Sequence, residues 1–255
     1  MTLLEDNILS DFAPISLEEM AQVRLMNRTD TKFVTTMPRL LMLLEMIHAK
    51  YRIQEIDGMR NMSYYTCYFD TPDCDMFAQH QRGRKKRQKI RLRMYEDSEQ
   101  AFLEIKNKNN RGRTNKRRIP VDNVEENIVK YSDFIYSHSR YEPGALLPQI
   151  QNHFHRVTLV NHRMTERLTI DTGLNFHNIP TEHDYSLERI VIIELKRDGN
   201  TYSPSLEALR KLHIHPSGFS KYCMGMALTN SELRQNLLKP RLRLVRHLTH
   251  QAYLY

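Results

Sequence analysis

Apolar and charged residues alternate with a period of two in eight separate runs of this chain, as expected of strands whose two faces meet different surroundings. In residues 88–95, Lys89, Arg91, Arg93 and Tyr95 fall on one face and Ile90, Leu92 and Met94 on the other. Residues 102–108 place Phe102, Glu104, Lys106 and Lys108 opposite Leu103 and Ile105. The polar stretch between these two runs predicts a hairpin turn. A third run, 113–119, offers Lys116 and Arg118 on one side before Pro120. Residues 28–33 align Arg28, Asp30 and Lys32, and residues 64–70 align Tyr64, Thr66, Tyr68 and Asp70. Later, Arg156 shares a face with Thr158, and Arg167 with Thr169 and Asp171. In 190–196, Glu194 and Lys196 oppose Val191, Ile193 and Leu195.

Helical signals fill the intervals. Residues 38–47 begin with a proline and continue in helix formers. Residues 73–80 predict a short helix, and 122–131 a helix with acidic residues in its first turns, matching the positive end of the helix dipole. Residues 203–212 have a serine cap, a proline inside the start and cations at the end. No long linker or internal repeat divides the chain, so residues 1–255 read as one α+β domain.

Charge sharpens this picture. The chain has 38 Lys+Arg and 30 Asp+Glu, a formal charge of +8. Residues 82–118 alone hold fifteen Lys/Arg and four Asp/Glu, so the remainder is slightly acidic. Such a block is ordinarily a disordered or nucleic-acid-binding tail, but here apolar residues are threaded through it at strand spacing. Two architectures satisfy the alternation. One is an antiparallel sandwich with its charged faces in water. The other is a closed barrel with charges inside and helices outside, its lumen a channel for polyanions with a few carboxylates left for a metal. The isolated acids Glu104 and Glu194, each two residues from a lysine, and Asp171, on the same face as Arg167, favour the barrel.

Composition removes several alternatives. Eight glycines and the absence of a glycine-rich phosphate loop argue against a backbone phosphate cradle. Three cysteines without a C-x-x-C pair point to a reducing compartment and no thiolate zinc site. No apolar run approaches membrane-spanning length, and the acidic start lacks a signal peptide's pattern. A cytoplasmic protein is therefore expected. Acids interspersed on the cationic faces oppose nucleic-acid binding. The histidine pairs His153/His155 and His213/His215 have no third ligand at a regular spacing and read as surface histidines. The basic segment 232–255 predicts a docked helix or strand, with contact to anionic lipid or a protein partner as the alternative.

Taken in order, Arg28-x-Asp30-x-Lys32-Phe33, Tyr68-Phe69-Asp70-Thr71, Lys89-Ile90-Arg91-Leu92-Arg93-x-Tyr95, Phe102-Leu103-Glu104-Ile105-Lys106 and Lys116-x-Arg118 resemble the VTC domain. Arg156, Arg167-Leu168-Thr169-Ile170-Asp171-Thr172, Ile193-Glu194-Leu195-Lys196 and Phe219-Ser220-Lys221-Tyr222 continue the likeness over about 24–228. That domain is the catalytic module of polyphosphate polymerases within the triphosphate tunnel (CYTH-like) group. The resemblance implies an eight-stranded antiparallel β-barrel with helices packed outside. It also implies ATP or another triphosphate as donor, polyphosphate as product, and a divalent metal, Mn or Mg. By the same resemblance Lys32, Arg91, Arg93, Lys106, Arg156, Arg167, Lys196 and Lys221 form the catalytic set. Lys89, Lys116, Arg118, Arg28 and Tyr68 would contact substrate, and Glu194 with Glu104 would face the metal. Triphosphatases of the group open with E-x-E-x-K, where this chain has Arg28 and Asp30. That departure favours phosphate transfer to a chain over hydrolysis; a non-catalytic polyphosphate-binding module is the remaining alternative. A lysine often precedes the F-S-K-Y run in polymerases, where this chain has Gly218.

Overall fold

The computed structural model describes residues 3–21, 23, 28–111, 113–122 and 127–252. Its helices are α1 (Leu3–Ser10), α2 (Leu17–Ala21), α3 (Met37–Ile47), α4 (Asp75–Gln81), α5 (Ser132–His138), α6 (Pro204–Lys211), α7 (Lys221–Thr229) and α8 (Lys239–Ala252). Its strands are β1 (Ala13–Ile15), β2 (Arg28–Thr36), β3 (Tyr51–Gln54), β4 (Met62–Asp70), β5 (Arg87–Tyr95), β6 (Gln100–Lys108), β7 (Thr114–Val121), β8 (Leu147–Asn161), β9 (Glu166–Asn178), β10 (His183–Leu187) and β11 (Ile190–Asp198). All eight runs of alternation become strands, and these form the path β2-β11-β9-β8-β4-β5-β6-β7, antiparallel at every step. The short strands β1, β3 and β10, which carry too few residues for a periodic signal, attach at its side.

The expected closure into a barrel is not made. Among the described residues β2 and β7 do not pair, so the sheet is open between them. The free edge of β2 is engaged by a later segment: Phe33 bridges Pro216, and the Ser217 N–H donates to the Lys32 carbonyl at 2.7 Å. β7 is exposed from Thr114 to Arg118 and carries Pro120, devices that keep an edge strand from pairing further. The sheet nonetheless curls strongly. Lys32 on β2 donates to the Phe219 carbonyl at 2.9 Å, and Lys89 on β5 donates to the Ser220 hydroxyl at 2.8 Å. Adjacent residues of one segment thus reach strands five steps apart in the sheet.

The convex side is covered as the alternation requires. Phe33, Val191, Ile193, Leu195, Leu168 and Ile170 share a buried core with Leu40, Leu43 and Leu44 of α3 and Ala208 and Leu209 of α6. Ser203 caps α6 by accepting from the Leu206 N–H at 3.1 Å, and Pro204 starts it. The helix expected over 122–131 is a short 3-10 turn at Ile128–Tyr131 leading into α5; residues 123–126, like Arg24 to Asn27 and the side chain of Arg28, lie outside the described residues.

Helices do not stay outside, however. α7 enters the concave side, where Tyr222 lies against Tyr68, and Gly225 sits directly on Ile150 and Phe176. A bulge at Gly173 (φ +60°) makes this room. Upstream of it Arg167, Thr169 and Asp171 share the concave face; downstream Leu174 and Phe176 join the core around α7. Leu242, Val245 and Leu248 of α8 are buried in that same core, so the basic C-terminal segment is a docked helix.

A Cβ at Gly225 would lie 2.5 Å from Phe176 Cδ1 and 2.6 Å from Ile150 Cδ1. Gly225→Ala should therefore lower stability by about 1–3 kcal/mol despite alanine's better helix propensity, measured by denaturant unfolding.

Candidate functional site

Strands β5, β6 and β7 stack their concave side chains in rungs fixed by register. Arg87 pairs with Lys108 and Thr114, and Lys89 with Lys106 and Lys116. Arg91 follows with Glu104 and Arg118, then Arg93 with Phe102 and Pro120. Across the concavity, β8, β9, β11 and β2 contribute Arg156 beside Asp171, Lys196 beside Arg167 and Asp30, and Glu194 beside Lys32 and Thr169. The F-S-K-Y segment drops into the middle. Ser220 caps α7 through the Cys223 N–H at 3.2 Å, and this positions Lys221 toward Asp171.

So many buried cations need fixed counter-ions. Glu104 is fully buried and serves two: Arg91 donates to its Oε2 at 2.5 and 2.8 Å, and Lys116 to its Oε1 at 2.6 Å. Asp171 serves two more, accepting from Arg156 at 2.6 and 2.8 Å and from Lys221. Lys196 meets Glu194 Oε2 at 3.1 Å. Burial pushes all three carboxyls up, but the cations win and hold each well below the usual carboxylate range. Positive charge still exceeds negative. Among the described residues no carboxylate pairs with Arg93 or Lys106. Burial together with Arg91 and Arg156 lowers the Arg93 guanidinium to about 10. Lys106 is lowered by Arg91, burial and Arg93. Burial, Arg156 and Lys32 bring Lys221 to about 7, although Asp171 opposes the shift. A buried surplus of cations is an environment built for anions.

The structure brings together nearly all the side chains singled out from the sequence. Lys32, Lys89, Arg91, Arg93, Lys106, Arg156, Arg167, Lys196 and Lys221 lie on or over the concave face. Tyr68 accepts from Arg91 Nη1 at 3.2 Å. Lys116 and Arg118 stand on the exposed edge strand, Arg118 with its guanidinium 4.5 Å from the Phe102 ring centre. One residue escaped the sequence reading. Phe154 stacks on Tyr64 at 5.2 Å and carries the cations of Arg93, Arg156 and Lys221 at 5.9, 5.3 and 3.8 Å from its ring centre. Extending the alternation back two residues from Arg156 would have found it.

A divalent cation would need hard oxygen ligands. Both oxygens of Glu104 are already engaged by Arg91 and Lys116, which suits a counter-ion. Among the described residues only Oε2 of Glu194 is engaged, and its side chain is 21% exposed toward the concavity. No three His, Cys, Asp or Glu side chains converge among the described residues. Glu194 thus keeps an oxygen that fits a Mg²⁺- or Mn²⁺-type ion, and the donor set does not fit a protein-only cage.

The family model of the VTC domain matches residues 27–230. The chain belongs to the VTC-domain family. Among solved structures, a Hippeastrum protein described as an adenylyl cyclase candidate with a dominant triphosphatase activity is similar, at 15% identity and a TM-score of 0.50. The match covers 80% of this chain and 97% of that one. A Vibrio parahaemolyticus protein described as an adenylate cyclase candidate matches at 8% identity and a TM-score of 0.46, covering 77% and 96%. No curated protein sequence matches this chain. This VTC-family chain shares its fold with the Hippeastrum protein, an antiparallel sheet of eight principal strands in which β2 and β7 stay unpaired with each other among the described residues. No helix among the described residues is long and apolar enough to cross a membrane.

Two measurements probe the electrostatics. Arg156→Met leaves Asp171 with only Lys221 and should cost about 3–5 kcal/mol in denaturant unfolding, whereas Arg156→Met/Asp171→Leu should cost clearly less. Lysine side-chain NMR should show Lys221 titrating near pH 7, with the midpoint moving upward when tripolyphosphate is added. Proton uptake follows from that sign, because an anion favours the charged form.

Proposed function

We propose that this VTC-family protein is a metal-dependent polyphosphate polymerase, transferring the γ-phosphoryl group of ATP to a growing polyphosphate chain. The observation that carries this reading is the buried cationic face with Arg93 and Lys106 free of carboxylate partners among the described residues. Phosphoryl transfer asks little covalent chemistry of a protein and much positioning and charge neutralisation. Arg91, Arg93 and Arg156 present rigid guanidinium forks to the non-bridging oxygens, and Glu104 and Asp171 keep two of those forks in place. Lys221, Lys106 and Lys196 neutralise the oxygens between them, while Lys32 holds the Phe219 carbonyl and so the segment that carries Lys221. A terminal phosphate oxygen of the chain forms the new bond to the γ-phosphorus as the bond to the β–γ bridging oxygen breaks, and ADP leaves. The acceptor oxygen is already anionic, so no protein base is required. Glu194 would hold the divalent ion, which supplies further charge neutralisation on the triphosphate.

Hydrolysis is the second reading, with water replacing the chain end as acceptor; the triphosphatase activity described for the Hippeastrum protein motivates it. Against it stands β2, which offers Arg28 and Asp30 where the hydrolases have paired glutamates, with Asp30 in register with Lys196.

One incubation with ATP and Mn²⁺ tests both readings. ADP together with long-chain polyphosphate is expected; free phosphate without polymer would assign hydrolysis, and no turnover would leave a binding module. Glu194→Gln should abolish metal-dependent turnover while the unfolding midpoint stays close to that of the unaltered protein; undiminished rates in that variant would remove Glu194 from the metal role.

A further inference from the structure

The rungs of β5–β7 do not stop at the buried site. From Arg93 the concave face of β5 continues through Arg91 and Lys89 to Arg87, six residue steps or about 20 Å, well beyond the reach of a triphosphate. Past Arg87 and Lys108 a cleft of about 680 Å³ wraps round the ends of these strands onto the opposite, convex face, where Gln88, Asn107 and Asn115 form one rung and Gln88 accepts from the Arg140 N–H. Lys86, Arg113 and Arg140 also line it, and the rest of its wall is amide and hydroxyl side chains without a carboxylate. The carboxylate of Asp75 approaches from behind, 3.3 Å from Arg140 Nη2 and bonded to the Tyr141 hydroxyl. Lys86 and Arg113 are exposed and make no ion pair among the described residues. Burial and the positive field of Arg87 and Lys89 of β5, Lys108 of β6 and Arg241 of α8 push the His80 imidazole of α4 down to about 3, while Asp75 on the same helix is taken up by Arg140 and Tyr141. Arg241 lies over Gly218, its Nη2 3.0 Å from where a Cβ would be, beside the segment that Lys32 and Lys89 hold.

We infer that the Lys86–Arg87–Lys108–Arg113–Arg140 cleft is an external binding groove for the extended part of a linear polyphosphate whose end occupies the buried site. The inference rests on the proposed function for the identity of the anion. A row of cations on β5 from Arg93 to Arg87 that leads to a cleft lined by five Lys and Arg side chains at the strand ends, Arg87 among them, suits an unbranched polyanion with charge along its whole length. Base-reading contacts and stacking platforms for a nucleic acid are missing from the cleft wall, which has no aromatic side chain.

Binding by calorimetry in the presence of EDTA, without turnover, tests this on the full chain with two probes, tripolyphosphate and long-chain polyphosphate. The unaltered protein should bind the long chain more tightly. In Lys86→Glu/Arg113→Glu that advantage should fall about tenfold with tripolyphosphate affinity little changed. A charge-matched control, Lys50→Glu/Arg210→Glu, at exposed positions after α3 and on α6, should keep the advantage. Equal affinity for the two probes, an advantage that survives in the groove variant, or an equal loss in the control overturns the groove. So does equally potent competition by a single-stranded oligonucleotide. Failure of the proposed function reads differently: tripolyphosphate itself would not bind, or the ATP incubation would yield no polymer while the length dependence persisted.

Discussion

Everything in this structure answers to one constraint: a row of arginines and lysines is held on the inside of a curled sheet. A cation taken from water costs several kcal/mol unless it is paired. Glu104 and Asp171 carry that burden, each joining two cations, and both lie at the centre of a strand where their backbone cannot retreat. The arrangement leaves Arg91 and Arg156 oriented before any substrate arrives, while Arg93 rests on the faces of Tyr64 and Phe154. Aromatic faces offer partial negative charge without competing for an incoming anion as a carboxylate would. The same positive field that would bind phosphate thus opposes folding, and the aromatic and acidic supports reconcile the two demands.

The segment 216–221 ties this electrostatic design to the fold. It occupies the free edge of β2, accepts from lysines on two distant strands, caps α7 and delivers Lys221 to Asp171. Tyr222 then hydrogen-bonds Asp70, and Asp70 in turn accepts from the Met76 and Phe77 N–H groups at the start of α4. An apolar half of the concavity, filled by α7 and α8, is thereby joined to the cationic half through consecutive residues. Because the segment sits where a closing strand pair would form, the open seam and the placement of Lys221 have one structural origin.

Much of this was legible in the chain. Period-two alternation located all eight principal strands and assigned the charged side chains to one face, since the pleat leaves a side chain only two directions. Proline and serine marked α6, and proline the start of α3. What escaped is of another kind. The bulge at Gly173 changes which residues face inward, and a one-residue shift leaves no trace in composition. The expectation that helices would remain outside failed because Tyr222, Met224 and Met226 give α7 apolar residues on more than one side, which says that it is buried and not where.

By itself the sequence determined the faces: which strands exist, which side of each is charged, and, through motifs in order, membership of the VTC-domain family. Only the tertiary structure decided the partners. Whether Glu104 is a ligand or a counter-ion depends on Arg91 from one neighbouring strand and Lys116 from the other, and whether the sheet closes depends on what reaches the edge of β2 first. Alternation is a property of one strand, whereas pairing and electrostatic compensation belong to strands brought together from distant parts of the chain.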